Sequence, residues 1–239
     1  MSAPAVAHAL AYPFGIPSGS YLLDGGRAVP LDGPGAAGDG RVPVLAFGAN
    51  AAPSALAAKL GPRAAAASVP VLAGELLDFD VVHSAHVSPY GSIPGALQRS
   101  PGATASVHVV HLLADELAAV HRSEPNYVFA RLRGIDLRLD GGARLDSVHA
   151  YVTRHGCLQL DGGHVGVAAV LVARRGWPAL DQPAMLAAAR DALAPGEPLE
   201  AFVLAQATDP EVAAARTAAL RREAAPFAWP EWDEVGGPE

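Results

Sequence analysis

A short turn in the first quarter of the chain has the residue types and the position of an anion-binding site. The turn, Gly48-Ala49-Asn50, follows a buried-strand pattern at 44–47 and precedes an alanine-rich segment with a helical pattern. Glycine permits a tight turn, and the free backbone N–H groups at a helix start attract a carboxylate or a developing oxyanion. We therefore predict a strand, a turn and a helix in that order, with the turn facing a ligand.

The helix after this turn has recognisable ends. Pro53 suits its first position, either Asn50 or Ser54 can cap its start, and Gly61 followed by a proline ends it. These residues predict a helix that begins close to the turn and holds it in place.

The second candidate group is a carboxylate far along the chain. Glu124 follows a predicted helix at 115–122 and precedes a predicted strand that begins at Tyr127. Its sequence neighbours are mostly apolar, and Arg122 is the nearest charge that could oppose proton uptake. An apolar pocket disfavours the charged form of a carboxylate, so replacing Glu124 with the neutral amide of glutamine should cost little folding stability. We expect Glu124→Gln to abolish proton transfer and to leave the melting temperature unchanged or higher.

Three segments resemble a known family. Phe47-Gly48-Ala49-Asn50 is similar to the Tyr-Gly-Ser-Asn loop of the γ-glutamylcyclotransferase-like family. The segment 120–127, VHRSEPNY, is similar to its Leu-Asp-x-x-Glu-x-x-Tyr pattern, and Ser92-Ile93-Pro94-Gly95 resembles a family loop with a Pro-Gly step. The resemblance covers roughly 42–133, and the order and spacing of the motifs support it more than any single match.

The resemblance implies a small β-barrel with helices packed around a cavity, and it implies a reaction. The α-amine of a γ-glutamyl compound attacks its own side-chain carbonyl, which gives 5-oxoproline and releases an amine or amino acid. One carboxylate and one amide-rich turn suffice, because intramolecular attack needs no nucleophile from the enzyme. By resemblance, the catalytic base is Glu124 and the substrate-binding residues are Phe47, Gly48, Ala49, Asn50 and Tyr127. Tyr90, which lies in a predicted loop without a helix start after it, is interpreted as a wall of the pocket and so as a further substrate-binding residue.

Three departures from the family pattern leave a second function open. Phe47 and Ala49 lack the hydroxyl groups of the family's Tyr and Ser, and His121 replaces the Asp of the second motif. Backbone amides survive these changes, whereas side-chain contacts to a substrate do not. A non-catalytic protein that holds a small carboxylate-bearing ligand in the same cavity is therefore an alternative.

A third possibility is an acyl transferase or amidohydrolase that depends on Cys157. If 148–157 is extended, period-two alternation places His155 and Cys157 on one face as a possible nucleophile pair. A lone cysteine is more often a small buried hydrophobe, so we expect Cys157 to be dispensable.

Composition and charge narrow the class of protein. Of 239 residues, 51% are hydrophobic and 17% charged, so the chain can bury one sizeable core. A net charge of -7 with scattered basic residues argues against a nucleic-acid partner. No apolar run approaches the roughly 20 residues of a membrane span, and the first residues lack a secretory pattern. We expect a cytoplasmic protein with a small-molecule ligand, and the oligomeric state stays open.

Neither disulfide nor metal chemistry is predicted. A single cysteine excludes an internal disulfide. His108 and His111 fall on opposite faces of a predicted strand, and His83 and His86 lie in a predicted loop without paired acidic ligands. The sequence therefore predicts no cofactor and no metal.

The pattern of elements predicts the fold class. Many strands joined by Gly-rich turns, with helices between them, indicate an α+β protein with a mixed, partly closed β-barrel, surrounding helices and a C-terminal helical extension. Residues 1–41, rich in Pro and Gly, are predicted to form an N-terminal arm with a mobile linker at 33–40. Residues 42–239 are predicted to be a single globular domain, with 42–133 family-like and 134–239 additional.

Further details of the secondary structure are predicted. A strand pattern at 69–82 has a break near Gly74, 83–101 is typical of a loop, and 199–205 is typical of a strand. Gly141-Gly142 and 161–163 each separate two strand patterns and predict hairpins.

Overall fold

The computed structural model of the chain describes residues 2–31 and 40–236. It shows an α+β protein with a closed, mixed β-barrel of five strands and helices around it. The predicted α+β class and barrel are confirmed, and the barrel is fully rather than partly closed. Within the described residues, no helix has the length and apolar character needed to cross a membrane.

The elements follow one another in a simple order. The helices are α1 (Ser2–Leu10), α2 (Pro53–Leu60), α3 (Ala114–Arg122), α4 (Gln182–Leu193), α5 (Leu199–Thr208) and α6 (Pro210–Leu220). The first seven strands are β1 (Tyr21–Asp24), β2 (Arg27–Pro30), β3 (Val42–Ala46), β4 (Ser68–His83), β5 (Gly95–Leu112), β6 (Tyr127–Leu139) and β7 (Arg144–Thr153). The short strands that follow are β8 (Cys157–Leu160), β9 (Gly163–His164), β10 (Gly166–Val167), β11 (Val172–Ala173), β12 (Ala179–Leu180), β13 (Ala224–Ala225) and β14 (Trp232–Glu234).

The barrel closes through the order β5, β3, β7, β6, β4 and back to β5. The β3–β7 pair is parallel, and the other four pairs are antiparallel. Closure pairs both edges of β3, a short strand of five residues. The end of β3 is therefore held at one rim of the barrel, and the predicted anion-holding turn begins there.

Alternation along the strands separates two cores. Leu45 of β3 belongs to a cluster inside the barrel with Val109 and Leu132. The adjacent Val44 belongs to a second cluster that includes Leu56 of α2. Successive strand side chains point to opposite faces, so one strand fills the barrel and also anchors the helices outside it.

The N-terminal region is part of the packed structure. Helix α1 contributes Val6 and Ala9 to a third core cluster together with Phe202 of α5, and β1 pairs with β4. The sequence predicted an arm across the domain but no helix at its start. Of the predicted linker, 33–39 lie outside the described residues.

The chain beyond residue 133 is needed to complete the barrel. Strand β6 continues to Leu139, and β7 follows after the hairpin that Gly141-Gly142 predicted. Because β7 pairs with both β6 and β3, residues 42–133 do not close the barrel by themselves.

The predicted break in β4 near Gly74 is wrong. The strand passes through this residue, and a Cβ there would come within 2.5 Å of the Arg138 carbonyl oxygen on β6. Glycine is therefore required by close backbone approach rather than by a chain reversal. The irregularity lies four residues on, where a bulge forms between Leu77 and Phe79.

Two further predictions of secondary structure fail for identifiable reasons. Strand β5 begins at Gly95, inside the predicted loop, and Pro101 lies opposite the bulge of β4, where the ladder is already interrupted. The predicted strand 199–205 is the helix α5, which buries Phe202, Val203 and Gln206. A short apolar run fits a strand and a buried helix equally well until tertiary packing selects one.

Candidate functional site

The predicted turn forms at the barrel rim. After β3, Ala49–Ala51 make one turn of 3-10 helix, in which the N–H of Ala51 donates to the Gly48 carbonyl at 2.8 Å. Helix α2 then begins at Pro53, and among the described residues no side chain caps it or the 3-10 turn. The first N–H groups of such a turn have no intrahelical acceptor, so they are available to an anion.

Neither predicted helix cap is used. The N-cap position of α2 is Ala52, so the expectation that Asn50 or Ser54 caps this helix is wrong. The predicted end at Gly61 is confirmed, because Gly61 is the C-cap with a positive φ of 59°. The Asn50 side chain instead donates a hydrogen bond to the carboxylate of Glu124, 74 positions along the chain.

Glu124 lies in the short link between α3 and β6. Its N–H donates to the His121 carbonyl at 3.0 Å, and its own carbonyl accepts from the N–H of Tyr127 at 3.1 Å. The Ser123 hydroxyl donates to the Val120 carbonyl and closes the helix end. The backbone of Glu124 is thus fixed on both sides, which aims its side chain at the rim where β3 ends.

Three side chains meet at this point. The Asn50 side-chain amide donates to Oε1 of Glu124 at 2.9 Å, and Nζ of Lys59 lies 2.5 Å from the same oxygen. Lys59 Nζ also donates to Oδ1 of Asn50 at 2.8 Å. Among the described residues Oε2 of Glu124 makes no hydrogen bond, so one carboxylate oxygen is held and the other is free for a ligand.

The expectation that Arg122 is the nearest charge to Glu124 is wrong. Lys59 forms an ion pair with it, and the two side chains are only 19% and 10% exposed. Sequence reasoning missed Lys59 because 65 positions separate the partners and α2 must fold over the end of α3 to bring them together. One signal was present: Lys59 is the only lysine among the 17 basic residues of the chain.

The turn and Glu124 line one cavity of about 260 Å³. This volume is near the lower end of small-molecule pockets, which span roughly 300–1,000 Å³. The structure thus brings together the sequence-predicted residues Phe47, Gly48, Ala49, Asn50, Tyr90, Glu124 and Tyr127. The cavity wall also contains Lys59, Tyr12, His86 and Tyr151, which the sequence did not assign to the site.

The tyrosines of the wall are hydrogen-bond donors rather than anions. Burial, as the largest cause, raises the pKa of Tyr90, Tyr127 and Tyr151 above the usual range for a phenol. The negative charge of Glu124 adds to this effect for all three. Their hydroxyl groups therefore keep their protons at neutral pH.

A buried imidazole forms another part of the wall. His86 is 1% exposed, and its Nδ1 is hydrogen-bonded to the Ser84 hydroxyl at 2.8 Å. Its ring lies 4.8 Å from the ring of His155, which is hydrogen-bonded to Asn126. Burial first, and then the charge of His155, lower the pKa of His86 to about 3. The neutral ring leaves Glu124 and Lys59 as the charged groups of the wall.

We expect the free energy of unfolding to fall between pH 7 and pH 5, with His86 responsible for about 2 kcal/mol of the loss. An unfolded histidine takes up a proton near pH 6.5, whereas folded His86, with a pKa of about 3, stays neutral at pH 5. Protonation therefore favours the unfolded chain as pH falls. The stability that neutral His86 contributes is fully present above pH 6.5 and is lost as pH falls below it. Denaturant unfolding of wild type and His86→Gln at both pH values measures it, and equal losses in the two proteins would contradict it.

Cys157 does not form the predicted nucleophile pair. Strand β7 ends at Thr153, so the extended run through Cys157 is interrupted, and the thiol contacts the Leu97 carbonyl at 3.6 Å. Cys157 is 0% exposed, and burial raises its pKa to about 12. A protonated thiol outside the cavity wall is a poor nucleophile.

Cys157→Ser is expected to keep the rate of any turnover within about threefold of wild type, because the thiol contacts packed backbone rather than the cavity. Rates and melting temperatures of both proteins, measured in parallel, check this. A loss of about a thousandfold in rate without loss of folded protein would restore the nucleophile hypothesis.

A wider groove of about 780 Å³ adjoins the cavity. The two share Ala49, Lys59, Tyr90 and Ser123, and the groove adds Arg63 and Arg122. Across residues 2–31 and 40–236, no three His, Cys, Asp or Glu side chains are grouped so that they could hold a metal. The site is thus a small carboxylate-containing cavity that opens into a basic groove.

No protein-family model, curated protein or solved structure matches this chain.

Proposed function

We propose that this protein is a γ-glutamylcyclotransferase-like enzyme that converts a small γ-glutamyl compound to 5-oxoproline and releases an amine or amino acid. One observation supports the proposal above the others: the Glu124 carboxylate and the uncapped turn at 48–50 share one cavity although they are far apart in sequence. A base beside a set of amide donors is what intramolecular aminolysis requires.

The reaction needs one proton acceptor at the substrate's α-amine. Oε2 of Glu124 is the available oxygen, because Oε1 already accepts from Asn50 and Lys59. Removal of the proton frees the nitrogen lone pair, which attacks the γ-carbonyl carbon to form the new C–N bond. The former carbonyl oxygen takes the negative charge, and we assign its stabilisation to the N–H groups at the start of the 3-10 turn.

Collapse of this intermediate breaks the bond to the leaving amine. Glu124 returns the proton it accepted to the leaving nitrogen, and the ring nitrogen, which still carries two protons after the attack, passes one of them to the departing amine. The amine leaves as an ammonium ion and the ring nitrogen keeps one proton, so the reaction balances without a hydrolytic water. The adjoining groove of about 780 Å³ offers room for the leaving group next to the 260 Å³ cavity. The lining of apolar and tyrosine side chains limits water, which would otherwise compete for the carbonyl.

Lys59 has two consequences for the mechanism. It neutralises Glu124, and the substrate's α-ammonium must compete with it for the carboxylate. A lysine side chain is a flexible point charge, and a short movement would let it pair with the substrate's α-carboxylate instead. We assign Lys59 this role in substrate binding.

The test is product formation from a panel of γ-glutamyl amines and γ-glutamyl amino acids, with 5-oxoproline and glutamate measured separately. We expect 5-oxoproline, and no turnover of matched compounds whose α-amine is acetylated, because acetylation removes the nucleophile. Release of glutamate would indicate a hydrolase. The absence of turnover over the whole panel would contradict the proposal.

A second candidate function is a binding protein that holds a small carboxylate-bearing ligand. The Lys59–Glu124 ion pair favours it, because a base already paired with a cation is less available for a substrate amine. The missing hydroxyls at Phe47 and Ala49 favour it too. Binding of 5-oxoproline or glutamate by calorimetry without turnover of the panel would select this function.

A further inference from the structure

Tyr12 brings a hydroxyl group from the N-terminal region into the cavity wall. It lies just after α1, is 7% exposed, and accepts a hydrogen bond from the Gly95 N–H at 2.7 Å. The Tyr127 hydroxyl donates to the Gly95 carbonyl at 3.0 Å. Gly95 at the start of β5 thus fixes two phenol groups in the cavity, and one of them comes from outside the family-like portion of the chain.

The Tyr12 hydroxyl also lies against the first residue of the turn. A Cβ at position 48 would overlap Oη of Tyr12 and would lie 3.4 Å from its Cζ. The contact with the Tyr12 hydroxyl therefore leaves no room for a side chain at position 48.

Among residues 2–31 and 40–236, no atom accepts the proton of the Tyr12 hydroxyl. In the part of the chain that the structure describes, Oη of Tyr12 accepts one hydrogen bond and donates none. Burial, and then the electrostatic effects of Tyr90 and Glu124, raise the pKa of Tyr12 far above the usual value for a phenol. The group is thus an immobilised, protonated donor beside the turn amides.

We propose that Tyr12 is a catalytic residue of this site, whose hydroxyl donates a hydrogen bond to the substrate's γ-carbonyl oxygen beside the turn at 48–50. The inference rests on the proposed function, because it assigns Tyr12 to the oxyanion that forms there. The hydroxyl keeps its proton throughout, while the carbonyl π electrons move to oxygen as the amine attacks. A donor fixed in advance by Gly95 stabilises this charge without reorganisation.

Tyr12→Phe separates this role from simple anchoring of the N-terminal region. We expect kcat to fall by about a hundredfold, the usual effect of losing one oxyanion donor, with KM changed by less than about threefold. The matched control is Tyr21→Phe, whose hydroxyl donates to the Ala51 carbonyl of the same turn but does not line the cavity. It removes an equally buried hydrogen bond and should leave kcat within about threefold.

Gly48→Ala supplies a second test. In the wild-type background its methyl group displaces the Tyr12 hydroxyl, so kcat should fall about as far as in Tyr12→Phe. In the Tyr12→Phe background, Gly48→Ala should lower kcat by less than about a further threefold, because the hydroxyl that its methyl group displaces is already absent. If kcat of the double variant falls by the product of the two single losses, the assignment of the hydroxyl is overturned.

Binding distinguishes failure of this inference from failure of the proposed function. If wild type turns over the panel and Tyr12→Phe matches Tyr21→Phe in kcat, the cyclisation stands and the Tyr12 inference is overturned. If wild type turns over nothing but binds 5-oxoproline, a tenfold weaker affinity in Tyr12→Phe supports Tyr12 as a carbonyl donor, and an equal affinity overturns it. If wild type neither binds nor turns over these compounds, both proposals are overturned.

Discussion

Glu124→Gln is expected to lower kcat/KM for 5-oxoproline release by at least about a hundredfold, the usual range for loss of a general base. An amide at this position cannot take the proton from the substrate's α-ammonium. Its oxygen can still accept from Lys59 and Asn50, so substrate recognition changes less than proton transfer. Steady-state rates over the γ-glutamyl panel measure the loss.

The same change is now expected to destabilise the fold, which reverses the expectation from sequence. Lys59 keeps its charge but loses its counter-ion, at a cost of about 1 to 3 kcal/mol for a pair that remains partly hydrogen-bonded. A lower melting temperature therefore no longer separates a catalytic glutamate from a structural one. A control with the same chemistry elsewhere in the chain is required.

Glu116→Gln is that control. Glu116 pairs with Arg41 at 2.9 Å with side-chain exposures of 6% and 13%, close to the 10% and 19% of the Glu124–Lys59 pair. Neither Glu116 nor Arg41 lines the cavity. We expect both Gln variants to melt lower and only Glu124→Gln to lose activity. Equal activity in the two variants at a temperature where both are folded would remove Glu124 from the mechanism.

Lys59→Met is expected to lower kcat/KM by about 10- to 150-fold, the worth of one charge-assisted hydrogen bond of roughly 1.5–3 kcal/mol. Methionine has a similar length and carries no charge, so it removes the cation that we assign to the substrate's α-carboxylate. Most of the loss should appear in KM, because the α-carboxylate is bound equally in the ground and transition states.

A substrate without the α-carboxylate tests this assignment directly. A 4-aminobutyryl amide can cyclise to a lactam in the same way but offers nothing to Lys59. Wild type should prefer the γ-glutamyl amide by a factor similar to the loss in Lys59→Met, and the variant should lose that preference. Because the comparison is a ratio within one protein, partial unfolding of the variant cancels. An unchanged preference in Lys59→Met would refute the assignment.

The sequence determined the features that depend on neighbouring residues. The apolar run, the short turn and Pro53 predicted a strand, a turn and a helix in that order, because the preference of proline for the first helical position acts locally. The Gly141-Gly142 hairpin followed from the same local rules. The motif at Glu124 placed a carboxylate between a helix and a strand, where the structure has it.

The tertiary structure decided the features that depend on distant contacts. Residues 199–205 were predicted to be a strand but form helix α5, because a helix buries Phe202 and Val203 in the third core cluster. Lys59 reached Glu124 across 65 positions, and Tyr12 reached Gly95 across 83. Neither contact has a local signature, because closure of the barrel and packing of α1 and α2 over its rim determine the distances. The sequence thus determined the turn at 48–50 and the carboxylate of Glu124. Only the fold determined that the ammonium of Lys59 and the hydroxyl of Tyr12 lie beside them.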